Sequence, residues 1–207
     1  MDVFFPFEMI GTVAFAISGA MVGIEKKMDI FGVAILGLTT AVGGGILRDL
    51  ILGITPPAAF RQPMFALTAI VVSILVFLPY LRKVAEHNQR KYDLMLLIMD
   101  SVGLGLFTVT GIQIAKTQSI GMNDFLITFV GVLTGVGGGI LRDVFAGNMP
   151  HVFVKHFYAC ASILGAWTCV LLWRFTGEFL AMLAGAAVTF VLRILAAHYR
   201  WSLPRAR

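Results

Sequence analysis

Charge is scarce in this sequence. Only 13% of its 207 residues are Asp, Glu, Lys or Arg, against 58% hydrophobic. A soluble domain of this length carries nearer a quarter charged residues. A water-facing globule is therefore excluded, and an integral membrane protein is expected. Cysteine is also scarce. Cys160 and Cys169 fall nine positions apart in one apolar run. That is not metal-ligand spacing, and two thiols so placed on one helix do not bridge; both read as packing residues. A basic start is missing too, since Asp2 and Glu8 are the first charges before Glu25. This argues against a cleaved signal peptide and for a retained first span. No cluster of His, Cys and Asp and no activated nucleophile stands out, so an intramembrane enzyme has little support. No cofactor and no metal are expected; His151 and His156, five apart beside Lys155, make a poor metal pair.

What the chain has in abundance is apolar runs of about 20 residues without strand-like alternation. These read as membrane helices. Seven spans are expected, at about residues 3–22, 31–53, 58–81, 94–115, 123–147, 152–173 and 177–197. Pro56-Pro57 and Pro150 force turns after the second and fifth, because proline lacks a donor and restricts the residue before it. The net charge of +5 then reports loops facing the cytoplasm rather than a nucleic-acid partner. Lys26, Lys27, Arg82, Lys83, Arg90, Lys91, Arg200, Arg205 and Arg207 fall on one side, and Lys116 and Arg174 on the other. This bias predicts an external N-terminus and a cytoplasmic C-terminus.

One stretch is written twice. Residues 37–53 read GLTTAVGGGILRDLILG, and residues 131–147 read GVLTGVGGGILRDVFAG. Arg142 follows Arg48 by 94 positions, and the register holds without a gap to Pro56 and Pro150; Arg61 meets Lys155 in the same register. Upstream, at a spacing of 92, Glu8 aligns with Asp100 and the segment from Phe15 to Gly19 with that from Phe107 to Gly111. Each copy holds three spans, an odd number, so the two halves enter the membrane in opposite senses. The fold class expected is all-α integral membrane, with an inverted three-plus-three repeat and a seventh, unpartnered helix. The first repeat is expected over residues 1–92, the second over 93–175, and the last helix with its basic tail over 176–207.

Three consecutive glycines are poor helix formers. Gly43, Gly44 and Gly45, and Gly137, Gly138 and Gly139, are therefore expected to break the second and fifth spans. A break at membrane depth frees backbone groups that protein, water or an ion must satisfy, and it exposes half-helix ends of opposite partial charge. Two breaks facing each other across the repeat interface would border a polar path. Thr39, Thr40 and Thr134 precede the triplets; Ser18 and Thr110 are equivalent positions on the first and fourth spans; Glu8 and Asp100 add carboxylates. Close helix packing is the competing reading of the glycines.

The charges Arg48, Asp49, Arg142 and Asp143 must be paired at this depth. Adjacent helical residues point about 100° apart, so at least one cross-repeat pair is expected, Arg48 with Asp143 or Asp49 with Arg142. The rival arrangement satisfies each charge within its own repeat, through carbonyls freed at the glycine break or through Glu8 and Asp100. Arg61 and Lys155 are placed to contact lipid head groups or to snorkel.

Seven spans, an inverted repeat and GGGILRD in the second and fifth spans resemble the prokaryotic members of the trimeric intracellular cation (TRIC) channel family, whose bacterial sequences are also labelled glycine transporters. The resemblance covers essentially the whole chain. It implies a homotrimer with a pore in each subunit, lined by the second and fifth spans at the glycine triplets and passing monovalent cations, chiefly potassium, across a bacterial inner membrane. A secondary transporter of a small solute such as glycine is the alternative, since inverted repeats are at least as typical of transporters.

Overall fold

The computed structural model describes residues 4–78, 89–118, 123–154 and 157–201. Lys155, His156, the basic residues of the segment 79–88 and the tail from 202 lie outside them. The described residues form nine helices: α1 (Phe5–Glu25), α2 (Ile30–Ile51), α3 (Ala58–Arg61), α4 (Pro63–Phe77), α5 (Gln89–Gln118), α6 (Asp124–Phe145), α7 (His151–Val154), α8 (Tyr158–Thr176) and α9 (Glu178–His198). Six of these are long and apolar enough to cross a membrane: α1, α2, α5, α6, α8 and α9. The protein is an all-helical integral membrane protein. The third and sixth spans differ from expectation. Each begins as a single helical turn, α3 or α7, followed by a joint. In the first repeat Gln62 precedes Pro63 and is extended at φ −120°, ψ 82°, as a residue before proline tends to be. In the second, Phe157 is left-handed at φ 49°.

The repeat is built from matching caps. Asp29 accepts a hydrogen bond from the Gly32 amide at 2.7 Å, and its repeat mate Asn123 accepts one from Leu126 at 2.8 Å. These cap α2 and α6 at their N-termini. At the other end, Gly53 (φ 70°) and Gly147 (φ 69°) turn left-handed. The amides of Ile54 and Asn148 bond back to the carbonyls of Asp49 and Asp143, both at 2.8 Å. This is the Schellman arrangement, and it explains the closing glycine of each copy.

The second and fifth spans are not broken. α2 and α6 each run as one 22-residue helix through the triplet. Backbone groups in hydrocarbon must be paired within the segment, and packing outweighs the low propensity of glycine. The triplets serve close approach instead. A Cβ on Gly44 would overlap the Thr134 carbonyl oxygen, and one on Gly138 would overlap the Thr40 carbonyl oxygen. α2 and α6 thus cross backbone to backbone, each presenting a glycine to the other's threonine carbonyl.

α1 and α5 flank this crossing. Phe15 of α1 and Phe107 of α5 pack with ring centroids 5.2 Å apart and their planes tilted by 43°. Gly103 makes room for the Phe15 ring, and a Cβ on Gly11 would stand 3.3 Å from the Phe107 ring. α8 and α9 pack against each other and close the outer side of α5 and α6. There Gly165 and Gly185 let the α8 and α9 backbones meet.

Candidate functional site

The two Arg-Asp pairs end α2 and α6 and are buried: Arg48 and Asp49 are 4% and 1% exposed, Arg142 and Asp143 0% and 1%. The cross-repeat exchange does not form. Arg48 Nε donates to Asp49 Oδ1 at 2.8 Å, and Arg142 Nε donates to Asp143 Oδ1 at 2.9 Å. A flexible arginine side chain can fold back along its helix to the adjacent carboxylate, which the 100° separation of the two Cβ directions does not prevent. The second carboxylate oxygen then ties down the next segment. Asp49 Oδ2 accepts from the Ala58 amide at 2.7 Å, and Asp143 Oδ2 from the His151 amide at 2.9 Å. Each pair therefore anchors the short helix that opens the following span.

The environments of the two pairs differ. Arg48 borders a partly open cavity of about 450 Å³. α1 contributes Glu8 and Thr12, α2 contributes Ala41, Val42, Gly45 and Asp49, and α5 contributes Phe107, Thr110 and Gln113; Arg61, Gln62 and Phe65 close the side. A Cβ on Gly45 would meet nothing nearer than Arg48 Nη2 at 3.7 Å. Arg61 donates to the Thr55 carbonyl at 2.8 Å. The cavity holds two arginines and two carboxylates, and its formal charge balances.

Arg142 has no such space. Its Nη1 donates to Asp100 Oδ1 at 2.6 Å and to Ser18 Oγ at 2.5 Å. Nη2 faces His151 Nδ1 at 3.4 Å. Asp100 is in turn approached by Arg193 of α9, with Nη2 3.7 Å from Oδ2, and by the Tyr158 hydroxyl at 3.4 Å. Of the polar residues singled out in the sequence, Glu8 and Thr110 border the cavity, as do Gly45, Arg48, Asp49 and Arg61. Ser18 and Asp100 join the buried cluster. The Thr40 and Thr134 hydroxyls bond to the carbonyls of Leu36 and Val130 in their own helices, at 2.6 and 2.7 Å, and Thr39 does the same with Ile35 at 2.8 Å.

The comparisons with known proteins agree with this architecture. The model of the family described as Glycine transporter matches residues 5–80 and 97–174, two segments that follow the two repeats. The solved structure of a TRIC cation channel superposes with a TM-score of 0.85 at 36% identity, covering 100% of this chain and 98% of that one. The chain belongs to the prokaryotic TRIC family. A second TRIC structure, the orthologue from Rhodobacter sphaeroides, gives a TM-score of 0.87 at 35% identity over 97% of this chain and all of that one. Among curated relatives, an UPF0126 membrane protein of Deinococcus radiodurans is 38% identical over 90% of this chain and 84% of its own length. The UPF0126 inner membrane protein YadS of Escherichia coli K12 is 34% identical over 95% of this chain and 93% of its own.

Sequence reasoning missed four residues around this candidate site. Phe15 and Phe107 were aligned by the repeat, but an apolar pair in an apolar run carries no signal of its own. Tyr158 and Arg193 have no charged or aromatic repeat mate to mark them. The signal for Arg193 was available: an arginine well inside the last span is costly unless paired.

Proposed function

We propose that this protein is a cation channel in which each subunit of a homotrimer carries its own path, bordered by α2 and α6. Potassium is the expected permeant ion, and the bacterial inner membrane the expected location. The N-terminus faces outside, so the cavity at Arg48 is the outer vestibule. One observation carries the reading: a polar, charge-balanced cavity penetrates between α1, α2 and α5 to the aromatic pair at the helix crossing, and a buried charged cluster stands at the repeat-related position beyond it. Asp49 neutralises Arg48, and Glu8 places a second carboxylate on the cavity wall. The C-terminal ends of α2 and α5 also border the cavity, and helix C-termini favour positive charge. The TRIC structures, described as cation channels, support the same reading.

A second reading is a secondary transporter of a small zwitterion such as glycine. The cavity opens beside one Arg-Asp pair while the other is enclosed, as alternating access requires, and arginine beside glutamate suits a zwitterion. Proteoliposomes separate the two. A channel gives potassium efflux that continues without saturation and needs no solute; a transporter gives saturable glycine uptake coupled to an ion gradient. Saturable, coupled uptake without electrogenic potassium flux would overturn the channel.

A further inference from the structure

The outer cavity has a counterpart that is filled. Carrying its walls through the repeat register turns Glu8 into Asp100, Thr12 into Leu104, Val42 into Val136, Gly45 into Gly139 and Arg48 into Arg142. In the second half these residues do not surround space. They surround Tyr158. Leu104, Val136 and Tyr158 form one buried apolar cluster, with Tyr158 only 2% exposed. The Tyr158 hydroxyl stands 2.8 Å from where a Cβ of Gly139 would be, whereas Gly45 opens on the cavity. The repeat mate of Tyr158 is Met64, which is 56% exposed. The two halves share backbone and charges, and the occupant of this one space distinguishes them.

A second residue holds the occupant in place. The Arg193 guanidinium lies over the Tyr158 ring, 4.6 Å from its centroid, a cation–π contact in a buried setting. The same guanidinium leans on Asp100. α9 has no repeat mate, and among the described residues no tyrosine lines the outer cavity.

We propose that Tyr158 is the plug that occludes the inner half of the path and that Arg193 is the positioning residue that holds it there. Opening moves the Tyr158 ring out from between Gly139 and Leu104, which recreates in the inner half the cavity already present in the outer half. Phe157, left-handed at φ 49°, is the joint immediately before the plug. This residue assignment rests on the path reading given above.

The test reads occlusion without current. Ser18, beyond the plug and against Arg142, is replaced by cysteine in a chain carrying Cys160→Ala and Cys169→Ala. The full-length protein in liposomes is exposed to a charged, membrane-impermeant thiol reagent from the Tyr158 face. With Tyr158 intact the thiol is protected. Tyr158→Ala raises the labelling rate about tenfold or more, the change that ~1.4 kcal/mol of lost closure produces. Tyr158→Phe keeps the ring and stays protected, and Met64→Ala changes nothing. Arg193→Met, which keeps the volume but not the charge, raises labelling as well, and it carries the test if Tyr158→Ala does not fold. Unchanged protection in a folded Tyr158→Ala or Arg193→Met protein overturns the proposal. Labelling as expected in a protein that passes no ions would instead contradict the channel reading and leave the plug standing.

Discussion

Gly44 faces the carbonyl oxygen of Thr134 so closely that a methyl group has no place between them. Gly138 stands in the same relation to the Thr40 carbonyl. This reciprocal contact is the centre of the molecule, and it gives the duplicated glycines a job different from breaking a helix. Small residues let membrane helices approach until their backbones touch; here two whole helices do so at the repeat axis.

The first prediction separates the glycines of one triplet. Gly44→Ala and Gly138→Ala meet backbone, which does not yield, and each should cost about 1–3 kcal/mol as overpacking does. Leucine at either site should prevent folding, not merely block a path. Gly45→Ala meets open cavity and should leave stability within about 0.5 kcal/mol. Thermal unfolding of the purified variants in one detergent ranks them. Equal melting temperatures for Gly44→Ala and Gly45→Ala would contradict the crossing.

How much of this was legible beforehand differs by residue. The repeat and its register follow from the letters, because the two copies align residue by residue. The state of the triplets does not. Three glycines lower helix propensity whether the helix breaks or another backbone approaches, and only the Thr40 and Thr134 carbonyls decide between the two. That Arg48 and Arg142 are neutralised by Asp49 and Asp143 is legible, but whether within one helix end or across the repeats is not, since the Cβ directions say little about where a long, flexible side chain ends. Tyr158 and Arg193 could not be brought together from sequence, as the register that links the two halves does not extend to α9.

The charged clusters carry a second prediction. Arg142→Met leaves the Asp100 and Asp143 carboxylates buried without their main partner and should cost about 3–5 kcal/mol. A double-mutant cycle of Arg142→Met with Asp100→Asn should show coupling of about 1–3 kcal/mol. The swap Arg48→Asp with Asp143→Arg should recover nothing, because each charge is satisfied within its own helix end. Recovery in the swap would revive the cross-repeat pairing.

The helix ends give a third. Gly53 and Gly147 are left-handed and have nothing within 4 Å of an added Cβ, so substitution there tests backbone conformation alone. Alanine at either should destabilise by about 1–2 kcal/mol, and asparagine by less, since it tolerates the left-handed region. Unfolding midpoints that do not distinguish Ala from Asn would argue against the Schellman ends.

Assembly is a fourth. Light scattering with the detergent contribution subtracted should return three copies of the 22.5 kDa chain. Cross-linking in lipid should stop at the same number. A monomer in both settings would count against the trimer.

Recording from the purified protein in a planar bilayer under a potassium chloride gradient decides whether an ion path runs from the cavity at Arg48 past the α2–α6 crossing. Discrete unitary currents that reverse near the potassium equilibrium potential are expected, with conductance lowered by Glu8→Gln at the mouth of the cavity. A silent bilayer from protein that is folded and inserted, or currents that reverse at the chloride potential, would contradict such a path.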